Sequence, residues 1–265
     1  MTNSIITSES NGQIKELIKL QKQARERRKT KKFVAEGIKM VLEAINFDKL
    51  DKLYVSESVF DRMVQRLGDK LERIPYEVVA DNVFKQISDT VTPQGVLATV
   101  NMPEYDVKEI LSDERKAWVL LDDLRDPGNL GTIIRTSEGA GMSGVIMSKE
   151  SVDLFNPKVV RSTMGAIFRV KFCYVESLID IIEEIKKSGY DVYATAMEGS
   201  EVYDCVDYTK GSAFIIGNEA NGVSDAVFEK ASKRIRIPME GKLESLNAAV
   251  SAAIIMYEMA RQKRK

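Results

Sequence analysis

Apolar and polar positions repeat at two different periods along this chain, and the periods mark out its elements. Short apolar or alternating runs predict strands at Phe33 to Glu36, Leu53 to Ser56, Tyr76 to Val79 and Val96 to Val100. Spacing by three and four residues predicts amphipathic helices at Ile38 to Ile45 and Val59 to Leu67. Ile14, Leu17, Ile18 and Leu20 give a preceding helix its apolar face. Together these elements predict a small α/β domain. From Asn101 to Glu114 the periodicity breaks around Pro103 and a cluster of charges, which predicts a linker. The boundary is placed near residue 108, dividing residues 1–107 from residues 108–265.

Beyond that boundary the alternation sharpens. Strands are predicted at Trp118 to Asp122, Gly144 to Met147, Val170 to Tyr174, Val192 to Thr195 and Ala213 to Ile216. Helices are predicted at Asn129 to Ala140, Leu178 to Lys187 and Leu246 to Gln262. Strands of continuous apolar character separated by helices imply a parallel sheet covered on both faces. Ligands of such sheets lie outside the carboxyl ends of the strands. The last helix is apolar almost all round, from Leu246 and Val250 to Tyr257 and Met259, so it has to be covered on two sides.

Composition narrows the chemistry. With 265 residues and 44% hydrophobic content, the chain can bury the cores of two domains. The 39 Lys and Arg are balanced by 40 Asp and Glu, so any affinity for nucleic acid must come from how charge is distributed. Residues 13–32 carry nine cations against Glu16 and Glu26, which predicts a basic helix and turn. Contact with RNA phosphates through Arg25, Arg27, Arg28 and Lys29 is expected there; the alternative is a solvated helical face. The chain has no histidine and only two isolated cysteines, Cys173 and Cys205, which rules out a disulfide framework, a Cys/His zinc site and a histidine general base. Met1 to Asn11 is polar, and the longest apolar stretch, Ala248 to Ala260, carries Glu258 and is shorter than the ~20 residues of a membrane span. A cytoplasmic protein is expected, with neither membrane nor metal as partner.

Three loops in the second half carry more glycine, asparagine and charge than a connection needs. DPGNLGTIIRT (126–136) follows a strand, and Asn129 is placed to cap the next helix. The loop lacks G-x-G-x-x-G spacing, so a dinucleotide fold is not supported. IIGNEANGVSD (215–225) runs from a strand into a glycine turn bearing Glu219, and Ser224 can cap a helix. IRIPMEGKLESLNAAVS (235–251) passes from a strand through Pro238 and Gly241 to a helix starting near Ser245, with Asn247 in its first turn. Each residue has a plain structural alternative: Asn129 and Ser245 as caps, Arg135 as an ion-pair partner, Glu219 as a solvated loop acid.

In this order and spacing, the three loops resemble the three motifs of the SpoU/TrmH family of RNA ribose 2′-O-methyltransferases, within the SPOUT superfamily. KFVAEGIKMVLEA (32–44) and TVTPQGVLA (90–98) are similar to the family's N-terminal substrate-binding domain, and RSTMGAIFRV (161–170) to its mid-domain segment. The resemblance implies a C-terminal α/β domain with a deep trefoil knot, and S-adenosylmethionine held among the knotted loops. Carried over residue by residue, it places the cofactor at Thr195, Gly217, Ile237, Met239 and Leu246. It assigns the reaction to Asn129, Arg135, Glu219, Ser245 and Asn247. Arg135 is placed beside the ribose; since a guanidinium rarely gives up its proton, phosphate binding and alkoxide stabilisation fit it better than a base.

The resemblance further implies a homodimer built around the last helix, and methylation of a structured RNA. The added N-terminal domain favours ribosomal RNA, 23S above all, over tRNA, and an antibiotic-resistance role fits as well. A non-catalytic RNA-binding protein on the same scaffold is the rival of another class.

Overall fold

The structure is a computed structural model in which residues 5–196 and 199–264 are described. The chain forms two compact units. One comprises the described residues up to Pro103 together with Asp153–Phe168; the other comprises Glu104–Val152 and the described residues from Arg169 onward.

The first unit opens with α1 (Gly12–Lys22) and α2 (Ala24–Thr30), followed by β1 (Lys32–Glu36), α3 (Ile38–Asn46), β2 (Leu50–Ser56), α4 (Phe60–Leu67), β3 (Tyr76–Val79), α5 (Asp81–Ile87) and β4 (Val96–Asn101). Its sheet runs β1-β4-β2-β3, with β4 antiparallel to both neighbours and β2 parallel to β3. Ile14, Leu17 and Leu20 of α1 and Val83, Phe84 and Ile87 of α5 bury against Val34, Tyr54, Val79 and Leu97 of the sheet. The basic segment over residues 13–32, expected as a helix followed by a turn, forms two helices. The break falls at Gln23, whose backbone is extended (φ −123°, ψ 109°). Arg27 holds the break by donating to the last carbonyls of α1, Leu20 O at 2.6 Å and Gln21 O at 3.0 Å.

The second unit holds α6 (Val107–Leu111), β5 (Ala117–Leu121), α7 (Pro127–Gly139) and β6 (Gly144–Ser148). Residues 153–168, with α8 (Pro157–Ser162), then belong to the first unit, where Phe155 and Phe168 pack on Phe33 at ring distances of 5.0 and 6.2 Å. The second unit resumes with β7 (Phe172–Val175), α9 (Leu178–Lys187), β8 (Asp191–Thr195), β9 (Glu201–Val202), β10 (Ser212–Ile216), α10 (Asp225–Phe228), β11 (Lys233–Arg236) and α11 (Ala248–Lys263). Its seven strands run β7-β6-β5-β10-β8-β11-β9, every pair parallel. Every residue of β5, β6 and β10 is buried, as continuous apolar runs require. Ile181, Ile182 and Ile185 of α9 pack with Trp118, Ile146 and Ala213 of the sheet. α7 lies along α11, where buried Ser137 Oγ is 3.4 Å from Met256 Sδ.

Two expectations need correcting. The segment read as linker contains α6, capped by Asp106 and fixed by Ile110, whose side chain is buried and whose carbonyl accepts from Trp118 Nε1 at 3.0 Å. The last helix starts at Ala248, with Asn247 as its cap. Among the described residues, no helix is long and apolar enough to cross a membrane.

Candidate active site

Because the sheet is parallel, β8, β10 and β11 release their chains on one side, and a cavity of about 670 Å³ opens there. Thr195 ends β8, Gly217 follows β10, Ile237 and Met239 follow β11, and Leu246 precedes α11; all five line the cavity. Phe228, Ile235 and Ile255 extend its apolar wall, while Glu219, Ser245 and Asn247 bring polar groups to it. Gly217 is required by close approach: a Cβ there would overlap the Gly222–Val223 peptide. The turn that presses on it closes through a pair of backbone bonds between Asn218 and Gly222, each 2.9 Å, with Gly222 in the left-handed region (φ 71°).

The three motif loops are tied by side chains. Glu219 Oε1 accepts from the Asp126 amide and from Asn129 Nδ2, both at 2.9 Å, and Oε2 accepts from the Arg125 amide at 3.1 Å. Asn129 Oδ1 in turn accepts from Asn247 Nδ2 at 2.9 Å. Asn247 Oδ1 caps α11, accepting from the amides of Ala249 and Val250 at 2.9 and 3.3 Å. One continuous chain of hydrogen bonds thus joins all three loops.

Helix capping here differs from expectation. Asp126, not Asn129, caps α7, accepting from the Asn129 amide at 2.8 Å, so the Asn129 side chain is left for Glu219 and Asn247. The signal was in the sequence: Asp followed by Pro is a cap followed by a first helical residue. Two further ties were not anticipated. Buried Asp122 accepts from the amide and hydroxyl of Ser224 at 2.8 and 2.7 Å, and Asn218 Nδ2 donates to Asp123 O at 2.9 Å.

These contacts decide what Glu219 can do. Burial pushes its pKa up, but the bonds from Asn129, Arg125 and Asp126 outweigh that and hold it below the usual range. A carboxylate kept ionised and already accepting from three donors is an anchor, not a proton acceptor.

Arg135 is not brought to the cavity. It is exposed on α7, six residues beyond Asn129, and has no protein partner among the described residues. Ser245 is exposed at the cavity rim. In the first unit, Arg25, Arg28 and Lys29 are exposed, but Arg27 is only 3% exposed. Its Nε and Nη2 donate to Asp153 Oδ2 at 3.0 and 2.5 Å, so the expectation that it contacts RNA is corrected: the guanidinium is spent inside the fold. Among the described residues, no acidic and cysteine cluster is arranged to hold a metal ion.

Comparison with known proteins adds independent findings. Residues 116–257 match the SpoU rRNA Methylase family, and residues 11–98 match an MRM3-like substrate binding domain. A 23S rRNA (guanosine(2553)-2′-O)-methyltransferase, RlmP of Bacillus subtilis, is 34% identical over 96% of this chain and 98% of its own. An AdoMet-bound rRNA methyltransferase from Sinorhizobium meliloti superposes with a TM-score of 0.86 at 32% identity, covering 97% of each chain. A TrmH/SpoU tRNA modifying enzyme from A. aeolicus, 29% identical with a TM-score of 0.51, covers 59% of this chain and 80% of its own.

Proposed function

The chain belongs to the SpoU rRNA methylase family, and from that premise we propose that it methylates one ribose of the large-subunit ribosomal RNA. As a member it is an RNA ribose 2′-O-methyltransferase that uses S-adenosylmethionine. The observation that carries the ribosomal target is the extent of likeness. Ribosomal-RNA enzymes match both units from end to end, whereas the tRNA enzyme covers little more than half of the chain.

The cavity suits the cofactor. Its volume of about 670 Å³ lies within the ~300 to 1,000 Å³ usual for small-molecule sites. Ile237, Met239 and Leu246 offer apolar surface to a purine, while Thr195 and Gly217 offer the strand-end backbone. S-adenosylmethionine supplies a methyl group on a cationic sulfur, ready for displacement by an oxygen nucleophile. The protein's part is orientation, which can contribute about 7 to 11 kcal/mol to such a step. Asn247 and Asn129, fixed by Glu219, hold the motif loops in one arrangement. Ser245 at the rim donates to the incoming ribose. Arg135, exposed and without a partner among the described residues, takes the phosphate flanking the target and stabilises the developing alkoxide, while that phosphate or water takes the proton.

The protein is read as a homodimer in the cytoplasm, with the knotted backbone of the family. Support for the dimer comes from α11, where Val250 and Tyr257 are 47% and 48% exposed on the same face as Ile254. Support for the knot comes from membership of the family.

The test is incubation with radiolabelled S-adenosylmethionine and, separately, protein-depleted ribosomal RNA and bulk tRNA, followed by alkaline hydrolysis. Label at one alkali-resistant linkage of 23S RNA is expected. Label only in tRNA overturns the ribosomal reading, and cofactor binding with label in neither RNA points to an assembly intermediate as substrate.

A further inference from the structure

We propose that α1 and α2 together form a two-segment cationic track that grips the backbone of the substrate RNA, with α1 contributing as much as α2. This rests on the reading of the substrate as RNA and names the surface that holds it. Lys15, Lys19 and Lys22 follow one another at helical spacing on α1, and on α2 Arg28 and Lys29 stand three and four residues beyond Arg25. All six are exposed, and none has a hydrogen-bond or ion-pair partner among the described residues.

Burial fixes which way the track faces. Ile14, Leu17 and Leu20 turn one side of α1 into the core, leaving the lysines on the other. Arg27 orients α2: held by Asp153 and by the end of α1, it is buried, which leaves Arg25 and Lys29 on the far side of the helix and Arg28 about 100° round from it. From Lys15 to Lys22 the rise is about 10 Å at ~1.5 Å per residue, enough for successive phosphates of one strand.

Other cationic concavities do not compete. Around the pocket of about 600 Å³ lined by Arg115, Lys116, Lys210, Lys263 and Arg264, every cation but Lys210 is already engaged, Arg264 by Ala260 O. Arg115 forms two bonds to Asp113, Lys116 bonds Leu111 O, and Lys263 is drawn to the carbonyls of Arg115 and Lys116. A chain whose net charge is −1 thus presents on α1 and α2 six exposed cations with no hydrogen-bond or ion-pair partner among the described residues.

The experiment measures binding of protein-depleted ribosomal RNA from low to moderate salt for the full-length protein and three variants. One is K15Q/K19Q/K22Q, one is R25Q/R28Q/K29Q, and one is a charge-matched control in the second unit, K108Q/K187Q/K210Q. Each lost phosphate contact flattens the slope of log K against log salt by about 0.7 to 0.9, so each track variant is expected to lose about 2 to 2.7 and the control almost nothing. Affinity for S-adenosylmethionine stays unchanged in all. An unchanged slope in the α1 variant, or an equal loss in the control, overturns the track. Absence of methyl transfer by the unaltered protein would instead count against the reading on which it rests, so the two failures are distinguishable.

Discussion

Asn247 donates to Asn129 Oδ1 at 2.9 Å while its own Oδ1 caps α11, so one side chain both starts a helix and fixes a motif residue of another loop. The two roles can be separated. Asn247→Asp keeps an oxygen for the cap but loses the donor and sets a carboxylate against Asn129 Oδ1; Asn247→Ala loses both. The alanine variant is expected to be less stable by about 1 kcal/mol, the usual worth of a cap, and the aspartate variant to keep the cap. Both should lose about 10- to 100-fold in methyl-transfer rate at saturating RNA, since small displacements of positioning groups have effects of that size. Thermal unfolding and single-turnover labelling check the two halves.

Glu219 gives a prediction about pH. Its carboxyl is held below its ordinary value in the folded chain, so the stabilisation it provides is complete above that ordinary value and is lost only as pH falls through the lowered one. Between pH 6 and 9 its charge does not change. A rise of rate with pH in that window is therefore expected to persist in Glu219→Gln, at a lower overall level because one amide oxygen cannot serve three donors. A rising limb that disappears in this variant would mean that Glu219 takes the proton.

At Gly217 the prediction concerns space. Gly217→Ala puts a methyl group into the Gly222–Val223 peptide, and overpacking of that kind destabilises by about 1 to 3 kcal/mol. Since the displaced turn is a wall of the cavity, affinity for S-adenosylmethionine should fall at least ~10-fold, as 1.4 kcal/mol of lost wall contact implies. Trp118, the chain's single tryptophan and buried beside β5's neighbours, makes fluorescence a reporter of the second unit for the stability half; calorimetric titration reads the affinity.

What the sequence made legible follows from the range over which each feature is determined. The parallel sheet was readable because β5, β6 and β10 are short runs dominated by apolar residues and buried at every position, a pattern set by the strand itself. The cavity residues Thr195, Gly217, Ile237, Met239 and Leu246 were readable only through the family's motifs, yet they do line one cavity. What was missed depends on distant partners. No local pattern marks Asp122 for Ser224 or Arg27 for Asp153, which lie 102 and 126 residues apart. α6 escaped because its one buried anchor, Ile110, sits in a charged stretch, and α5 because seven residues are too few for a period to show.

Arg135 separates a surface residue from a working one. It is exposed and has no hydrogen-bond or ion-pair partner among the described residues, so Arg135→Ala should leave stability within about 0.5 kcal/mol. Methyl transfer at saturating RNA should nevertheless collapse, and Arg135→Lys should restore charge but little rate, because an ammonium lacks the planar fork that engages a phosphate at two points. If Arg135→Lys turns over nearly as fast as the unaltered protein while Arg135→Ala loses only RNA affinity, Arg135 does not stabilise the alkoxide.

Arg27 is the opposite case, a basic residue inside the basic segment whose work is internal. Its side chain and that of Asp153 are 4% and 19% exposed, so removing either partner leaves a largely buried charge alone. Arg27→Met is expected to destabilise the first unit by about 3 kcal/mol, the lower end for breaking a buried pair. Adding Asp153→Leu removes the orphaned charge and should recover much of the loss, because an apolar replacement of both partners is often close to neutral. Hydrogen exchange of the α1 and α2 amides is the appropriate readout, since Trp118 lies in the other unit. In the double variant, with the fold restored, the salt slope of RNA binding should equal that of the unaltered protein, as it must if Arg27 never meets a phosphate. A slope reduced by a full contact would return Arg27 to the RNA-binding set.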